Sequence, residues 1–408
     1  MRAKQEAMKS ETTPKELIKK MLDAEHFLIV QDIDGVCIPL VKDPLERKIS
    51  ISYIEAANKL NGQFYVLTNG EHEGSRGVNR VIEEAYKIAN LPFKKDRYLP
   101  GLAAGGIEFQ DTFGVVDYPG VSEDELEFLQ EIPKKMELLL YENLSKIFSS
   151  LKPLEIRTIT KSAILSTRFS PTINLNKIFN LIPNDVAMQQ DIQRMLENLM
   201  DKLLLLAAEQ GLQDSFFLHI APNLGKRANK EVIKFSSIGD VGTTDIQFML
   251  SGAIKEAGLL ALINRFIKAR SGRAPLGDDF NVRTAPKSFE KLKALCKEKI
   301  TANDMPLLIG VGDTVTSNLS ADGKAWLRGG SDRGFLTLIQ ELGKEYSIQN
   351  KIVLVDSSFG EVDRPSLSNN KLRGISDPED PLKFNTYFRN GPKEYVEWFS
   401  QLAEERRR

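Results

Sequence analysis

Four short runs of the chain are almost entirely apolar, and each stops abruptly at an acidic or hydroxyl-bearing residue. They are residues 27–30, 64–67, 307–311 and 352–355, followed in turn by Asp32 with Asp34, by Thr68 with Asn69, by Asp313, and by Asp356. A strand with one face in water alternates apolar and polar positions, whereas a strand covered on both faces is apolar throughout. The runs therefore predict buried parallel strands. In open parallel sheets, ligands gather beyond the carboxyl ends of the strands. Four strands delivering carboxylates and a hydroxyl to one sheet edge predict a functional site there.

The fold class implied is α/β, a Rossmann-like parallel-sheet core. Between the second and third runs lies a stretch of well over 200 residues, which predicts a large inserted α+β domain. Residues 1–100 and 245–408 are assigned to the core and 101–244 to the insertion. Within the latter, residues 105–109 and 111–116 read as a hairpin turning at Gly114. Residues 184–210 read as a helix whose apolar face carries Ile192, Met195, Leu196, Leu199 and Leu203 and which Gly211 stops. Residues 359–392, polar and rich in Pro, Ser and Asn, read as a loop. A last helix is expected from about Lys393, packing through Tyr395, Trp398 and Leu402.

The segment Asp32-Ile33-Asp34-Gly35 carries the most chemistry. Two carboxylates one residue apart are costly in a core, because like charges in low dielectric repel and lose hydration. On a loop at the sheet edge they can share a divalent cation, with Gly35 permitting the sharp turn. One carboxylate can then attack phosphorus while the other exchanges a proton with the leaving oxygen. The plain alternative is an acidic Asp-Gly turn. Thr68, opening the turn Thr68-Asn69-Gly70, offers a hydroxyl beside backbone N–H groups that can hold phosphate oxygens; by itself it is ordinary turn chemistry. Lys255 opens an amphipathic helix, where the dipole opposes a cation by about 0.3–1 kcal/mol; a bound anion reverses that sign, and a solvated lysine is the alternative. Asp313 follows a buried strand in Gly312-Asp313-Thr314. Magnesium takes a few oxygen ligands and retains water, so Asp313 joined to the first pair suffices.

Composition narrows the partners. Lys plus Arg (55) and Asp plus Glu (56) leave a formal net charge of -1, which gives no electrostatic case for nucleic acid or an anionic membrane. The terminal Arg406-Arg407-Arg408 reads as a solvated tail. The longest aliphatic run, 203–208, is too short for a bilayer, which takes about 20 apolar residues, and residues 1–11 lack a secretory apolar stretch. Two cysteines, Cys37 and Cys296, need no disulfide framework and fit a reducing cytoplasm. With three histidines, a histidine-rich zinc site is not expected.

In this order, the segments resemble the four motifs of the haloacid dehalogenase-like phosphatases. Within them, the chain is similar to the cyanobacterial salt-tolerance phosphatases that act on glucosylglycerol phosphate. The stretches that carry the likeness are 29–37, 65–72, 99–106, 242–250, 310–317 and 329–333, so it covers about residues 27 to 360. The resemblance implies that Asp32 forms an aspartyl-phosphate and that Asp34 protonates the leaving alkoxide, then activates water. It implies that Thr68 binds the phosphoryl group and that Lys255 neutralises it and orients Asp32. Asp313 would anchor Mg2+ beside Asp32 and the Asp34 carbonyl. The family's further acid, one helical turn past Asp313, is replaced here by Ser317. Asp332, after an apparent insertion and before an apolar helix, resembles the displaced acid more than Asp356 does. The insertion would be a substrate-reading cap.

The implied activity is dephosphorylation of glucosylglycerol 3-phosphate in compatible-solute synthesis, in the cytoplasm, with the matching synthase as a possible partner. Retention of Asp34 favours esters with alkoxide leaving groups. Asn69, Glu71, His72, Arg76, Asp245 and Gln247 are the motif-adjacent candidates for reading a sugar. Sucrose, trehalose and mannosylglycerate phosphates make the same demands at phosphorus. A phosphomutase and a non-catalytic regulator of the synthase are the competing classes, the latter opposed by the full set of Asp32, Asp34, Thr68, Lys255 and Asp313.

Overall fold

The computed structural model describes residues 12–406 except 228–229, 321–322, 363, 365–366, 368–376 and 378. The N-terminal stretch 1–11, the end of the arginine tail and the middle of the loop expected at 359–392 lie outside the described residues, while Thr386–Phe388 within that expected loop is a strand. The chain divides into two compact units. One runs to Gly120 and resumes at Gly252; the other is Val121–Ser251.

The first unit opens with the helix Pro14–Asp23, started by Pro14 and by a capping box in which Thr13 and Glu16 satisfy each other's backbone N–H. It then lays down β1 (Phe27–Gln31), β2 (Phe64–Leu67), β3 (Gly101–Ala103), β4 (Glu108–Gln110) and β5 (Val116–Asp117). The second unit contributes β6 (Ile164–Leu165), β7 (Thr172–Asn174), β8 (Phe216–Ala221), β9 (Asn223–Arg227), β10 (Lys230–Ile233) and β11 (Asp245–Leu250). On its return the first unit adds β12 (Leu307–Gly312), β13 (Thr316–Leu319), β14 (Trp326–Gly329), β15 (Lys351–Val355) and β16 (Thr386–Phe388).

Its main sheet runs β16-β15-β12-β1-β2-β3-β4-β5. The pairs from β16 to β3 are parallel, and β4 and β5 finish it antiparallel. All four apolar runs are strands of this sheet, and Phe27, Leu28, Ile29, Val30, Leu308, Ile309, Val353 and Leu354 are enclosed, as burial on both faces requires. The α/β expectation holds. The final helix, Pro392–Glu405, buries Tyr395, Trp398 and Leu402.

The unit boundaries differ from those expected at 100/101 and 244/245. β3 pairs with β2, and the 108–117 hairpin continues from it; residues 101–117, hairpin included, thus belong to the main sheet, although residues 105 and 106 lie in a tight turn rather than a strand. Conversely, β11 is an interior strand of the second unit's sheet, ordered β6-β7-β11-β8. Sequence reading placed the cut at the motifs, whereas the two compact units part at 120/121 and 251/252.

The second unit is α+β, with its own antiparallel sheet and the helices Glu123–Ile147, Pro153–Ala163 and Val186–Glu209. The last matches the helix expected at 184–210; Ile192, Leu196, Leu199 and Leu203 are buried and Met195 is half-buried. Phe128, Phe216 and Phe248 cluster between helix and sheet. Among the described residues no helix is long and apolar enough to cross a membrane.

Candidate active site

The site forms at the carboxyl ends of β1, β2 and β12, joined by the first residue of the helix Lys255–Ser271. Asp32 follows β1 directly and is still held in register, its N–H donating to the Val311 carbonyl at 3.0 Å. Below it, the Gln31 amide donates to the Asp32 carbonyl oxygen at 2.9 Å, and the Tyr395 hydroxyl donates to Gln31 Oε1 at 2.5 Å. Both carboxylate oxygens are engaged. Oδ1 accepts from the Ile33 N–H at 2.7 Å and Oδ2 from Lys255 Nζ at 2.6 Å.

Lys255 reaches Asp32 because its helix lies close to the sheet. A β-carbon on Gly258 would stand 2.7 Å from Leu67 Cδ1, a separation no real side chain tolerates. The lysine is 3% exposed, and its ammonium also donates to Asp332 Oδ1 at 2.7 Å. Burial opposes its charge, but the Asp32 and Asp332 carboxylates outweigh that and hold its proton more tightly than usual.

Asp332 precedes the helix Arg333–Tyr346 yet makes no side-chain cap to it. Its Oδ2 instead accepts the N–H groups of Asp313 and Thr314, at 2.9 and 3.0 Å. The insertion between the two acids is the antiparallel hairpin β13–β14, whose Thr316↔Gly329 pairing closes the detour. Ser317, at the place of the missing acid, starts no helix; its buried hydroxyl accepts the Asp377 N–H at 3.3 Å. Asp356 is committed elsewhere, Oδ1 to the Ser358 N–H and Oδ2 to the Leu367 N–H.

Asp32, Asp313 and Asp332 thus offer ligand oxygens all within 4.8 Å of one another, each residue buried. Among the described residues, Asp313 Oδ2 is enclosed without a hydrogen-bond partner. Burial pushes Asp313 well above the usual carboxylate range, and the Asp332 and Asp32 charges add to it. Burial likewise raises Asp32 to about 7 against the pull of Lys255. Burial also works against the Asp332 carboxylate, but Lys255 and the N–H donors keep it below its ordinary value. Lys255, with the weaker pull of Arg364 on Asp313, does not offset three enclosed carboxylates, and a buried oxygen that none of the described residues pairs is a costly residue of that imbalance. The donor set fits a hard divalent cation. Gly35 leaves the space: at φ +81°, a β-carbon there would stand 2.1 Å from Asp313 Oδ2.

Thr68 is buried at the end of β2, and its Oγ1 accepts the Gly70 N–H at 3.2 Å, which leaves the hydroxyl proton to be donated. A β-carbon on Gly70 would sit 3.7 Å from Thr68 Oγ1 and 3.9 Å from Asp34 Oδ2, so Asp34 and Thr68 flank one opening. The Asp34 carboxylate is outside the acidic trio and turns instead to Arg47, whose Nη1 lies 3.0 Å from Oδ2 and 3.3 Å from Oδ1. Its expected part in the metal site therefore rests on its carbonyl alone.

The candidate sugar readers scatter. Asn69, Glu71 and Arg76 lie half-buried in the loop after β2. His72 does not fit that role: its ring is fully enclosed, donating from Nε2 to the Gly101 carbonyl at 3.2 Å and meeting the Gln110 amide at Nδ1, 3.3 Å away. Burial lowers its pKa to about 4. It is a pin of this loop, one that a motif-adjacent position imitates. Asp245 and Gln247 lie in the second unit on β11, half-buried and alternating with enclosed Ile246 and Phe248. Asp245 accepts from the Asn174 amide and the Thr244 hydroxyl.

The sequence profile of the glucosylglycerol-phosphate phosphatase family matches residues 26–403. A glucosylglycerol-phosphate phosphatase of Synechocystis sp. is 44% identical over 399 residues, 95% of this chain and 94% of that protein. The chain belongs to the glucosylglycerol-phosphate phosphatase family. Two solved Candida albicans structures also match over nearly full length. The trehalose-6-phosphate phosphatase C-terminal domain does so at TM-score 0.44 and 11% identity, covering 96% of each chain. The trehalose synthase regulatory protein C-terminal domain does so at 0.45 and 10%, covering 95% of this chain and 97% of that one. Likeness that distant carries none of the assignment.

In this glucosylglycerol-phosphate phosphatase family member, two residues at the site escaped the sequence reading. Gln31 looks like the last position of a strand. Arg47 lies in the polar stretch after β1, where a basic side chain reads as solvated. Only a polar residue closing an otherwise apolar strand pointed to Gln31; nothing pointed to Arg47.

Proposed function

We propose that the chain is a Mg2+-dependent phosphomonoesterase that converts glucosylglycerol 3-phosphate to glucosylglycerol through an aspartyl-phosphate on Asp32. The observation that carries the chemistry is Asp32 held by Lys255 among three converging carboxylates. The substrate rests on the 44% identical relative.

Phosphate esters resist nucleophiles because their oxygens repel an incoming anion. Ile33 and Lys255 fix both Asp32 oxygens, and Lys255 brings positive charge to the attacking group. Asp32, Asp313 and Asp332 would hold the magnesium ion, which when bound supplies further charge for the transferring phosphoryl group. Thr68 donates its hydroxyl to a phosphoryl oxygen. Asp34, half-buried on the same opening, gives its proton to the leaving glycerol oxygen and takes one from water afterwards. Asp245 and Gln247 bind sugar hydroxyls in this reading.

Two free, buried cysteines support a reducing, cytoplasmic setting. A synthase forming the glycosyl-glycerol phosphate would supply the substrate, and accumulation of the neutral product would serve salt tolerance. The test is phosphate release from a panel of sugar phosphates with Mg2+ and with chelator, for wild type and Asp32→Asn. Expected are Mg2+-dependent turnover selective for glucosylglycerol phosphate and none above background in the variant. Comparable turnover in Asp32→Asn would falsify the nucleophile. Equal rates on sucrose or trehalose phosphate would overturn the substrate. An unchanged Michaelis constant in Gln247→Ala and Asp245→Ala would remove them as readers.

A further inference from the structure

We infer that Arg47 is the positioning residue of Asp34, holding the leaving-group acid in place; this rests on the phosphatase reading above. Arg47 is anchored independently of Asp34. Its Nε donates to the Pro44 carbonyl at 3.2 Å and its Nη2 to the Arg76 carbonyl, while the guanidinium is almost enclosed, with 8% of the side chain exposed. The stretch that presents it is itself tied down, since the Arg80 guanidinium donates to the Pro44 and Leu45 carbonyls. Asp34 is the more open partner, with 34% of its side chain exposed. The fold therefore fixes the guanidinium, and the guanidinium fixes the acid.

That arrangement suits proton delivery. A carboxyl group can carry the proton on one oxygen while the other accepts from Nη1, and Arg47 Nη1 is in reach of both Asp34 oxygens. In the first step an Asp32 oxygen bonds to phosphorus and the bond from phosphorus to the glycerol oxygen breaks. The bonding pair stays on that oxygen, which takes the Asp34 proton. In the second step water yields its proton to Asp34 as it attacks phosphorus, so phosphate leaves and Asp32 is restored. An acid on a freely rotating side chain would miss the departing oxygen in most conformers, and misplacement of about 1 Å costs on the order of 100-fold. A plain structural staple would make the two carbonyl contacts without needing Asp34.

The leaving group separates these roles. p-Nitrophenolate is stable and departs without a proton, whereas glycerol oxygen needs one. In Arg47→Gln, kcat/KM, which reports only the steps up to departure of the alcohol, falls about 100-fold on glucosylglycerol phosphate but stays within about threefold of wild type on p-nitrophenyl phosphate. Arg47→Lys, which keeps a cation in the same pocket, falls between. In an Asp34→Asn background, Arg47→Gln adds no further loss. Equal losses in kcat/KM on both substrates, or a full further loss in the Asp34→Asn background, overturn the inference while leaving the phosphatase intact. If Asp34→Asn itself shows no dependence on the leaving group, the acid assignment fails and this inference with it.

Discussion

Lys255 Nζ sits 2.6 Å from Asp32 Oδ2 and 2.7 Å from Asp332 Oδ1, bridging residues from opposite ends of the chain inside a nearly sealed pocket. The ammonium is therefore both part of the chemistry and the charge that allows these acids to be enclosed. Replacing one partner of a buried ion pair leaves the other uncompensated, at about 3–5 kcal/mol. Lys255→Met is expected to lose that much in urea unfolding under chelator. Magnesium should restore part of it, because a cation among the acids replaces the missing charge. A Lys255→Met protein as stable as wild type in chelator would show that the acids are not charged there.

Asp313 should behave in the opposite sense. Its carboxyl is crowded by Asp332 and Asp32 and has an orphaned oxygen. Folding disfavours the charged form of Asp313, and Asp313→Asn removes that cost, so at a pH where the unfolded chain ionises the acid the chelated protein should melt at higher temperature than wild type. The same change should weaken magnesium binding about 10-fold or more by calorimetry, since one oxygen ligand is lost. An unaltered magnesium affinity would take Asp313 out of the metal site.

Gly35 admits no side chain. Its φ of +81° disfavours any L-residue, and a β-carbon would overlap Asp313 Oδ2. Gly35→Ala is expected to cost about 1–3 kcal/mol from the backbone alone and to abolish turnover by displacing Asp313. Near-normal activity together with normal stability would contradict the geometry.

His72 sets a pH dependence. Folding lowers its pKa from 6.5 to about 4, so the unfolded chain binds the extra proton between those values. Its contribution is complete above about pH 6.5 and is lost as pH falls toward 4, by about 3 kcal/mol. Glu108, which accepts the His72 backbone N–H and is raised to about 7 by burial, pulls the other way over much of that range, its contribution fading as pH rises. The difference between wild type and His72→Gln isolates the imidazole: the variant should lose less stability than wild type between pH 6.5 and 4. Parallel curves for the two proteins would place the ring in water.

The sheet and its chemistry were legible in the sequence because burial on both faces writes an unbroken apolar run, and the residue where the run stops marks the sheet edge. Asp32, Thr68 and Asp313 announce themselves in this way, each next to its own strand. What lies far away in sequence did not. Asp332 was picked out by its resemblance to a displaced acid, not by a strand of its own; that it meets Asp313 is the work of the β13–β14 hairpin, which returns the chain to its starting point. Arg47 becomes a partner of Asp34 only because Pro44 and Arg76 carbonyls seize its guanidinium. His72 looks like a site residue until Gly101 and Gln110 close around it. Main-sheet membership of residues 101–117 and second-sheet membership of 245–250 were settled by strand pairing. Local pattern reports whether a residue is wet or dry; which distant group it faces is a matter of hydrogen bonds and charges that exist only once the chain has closed on itself.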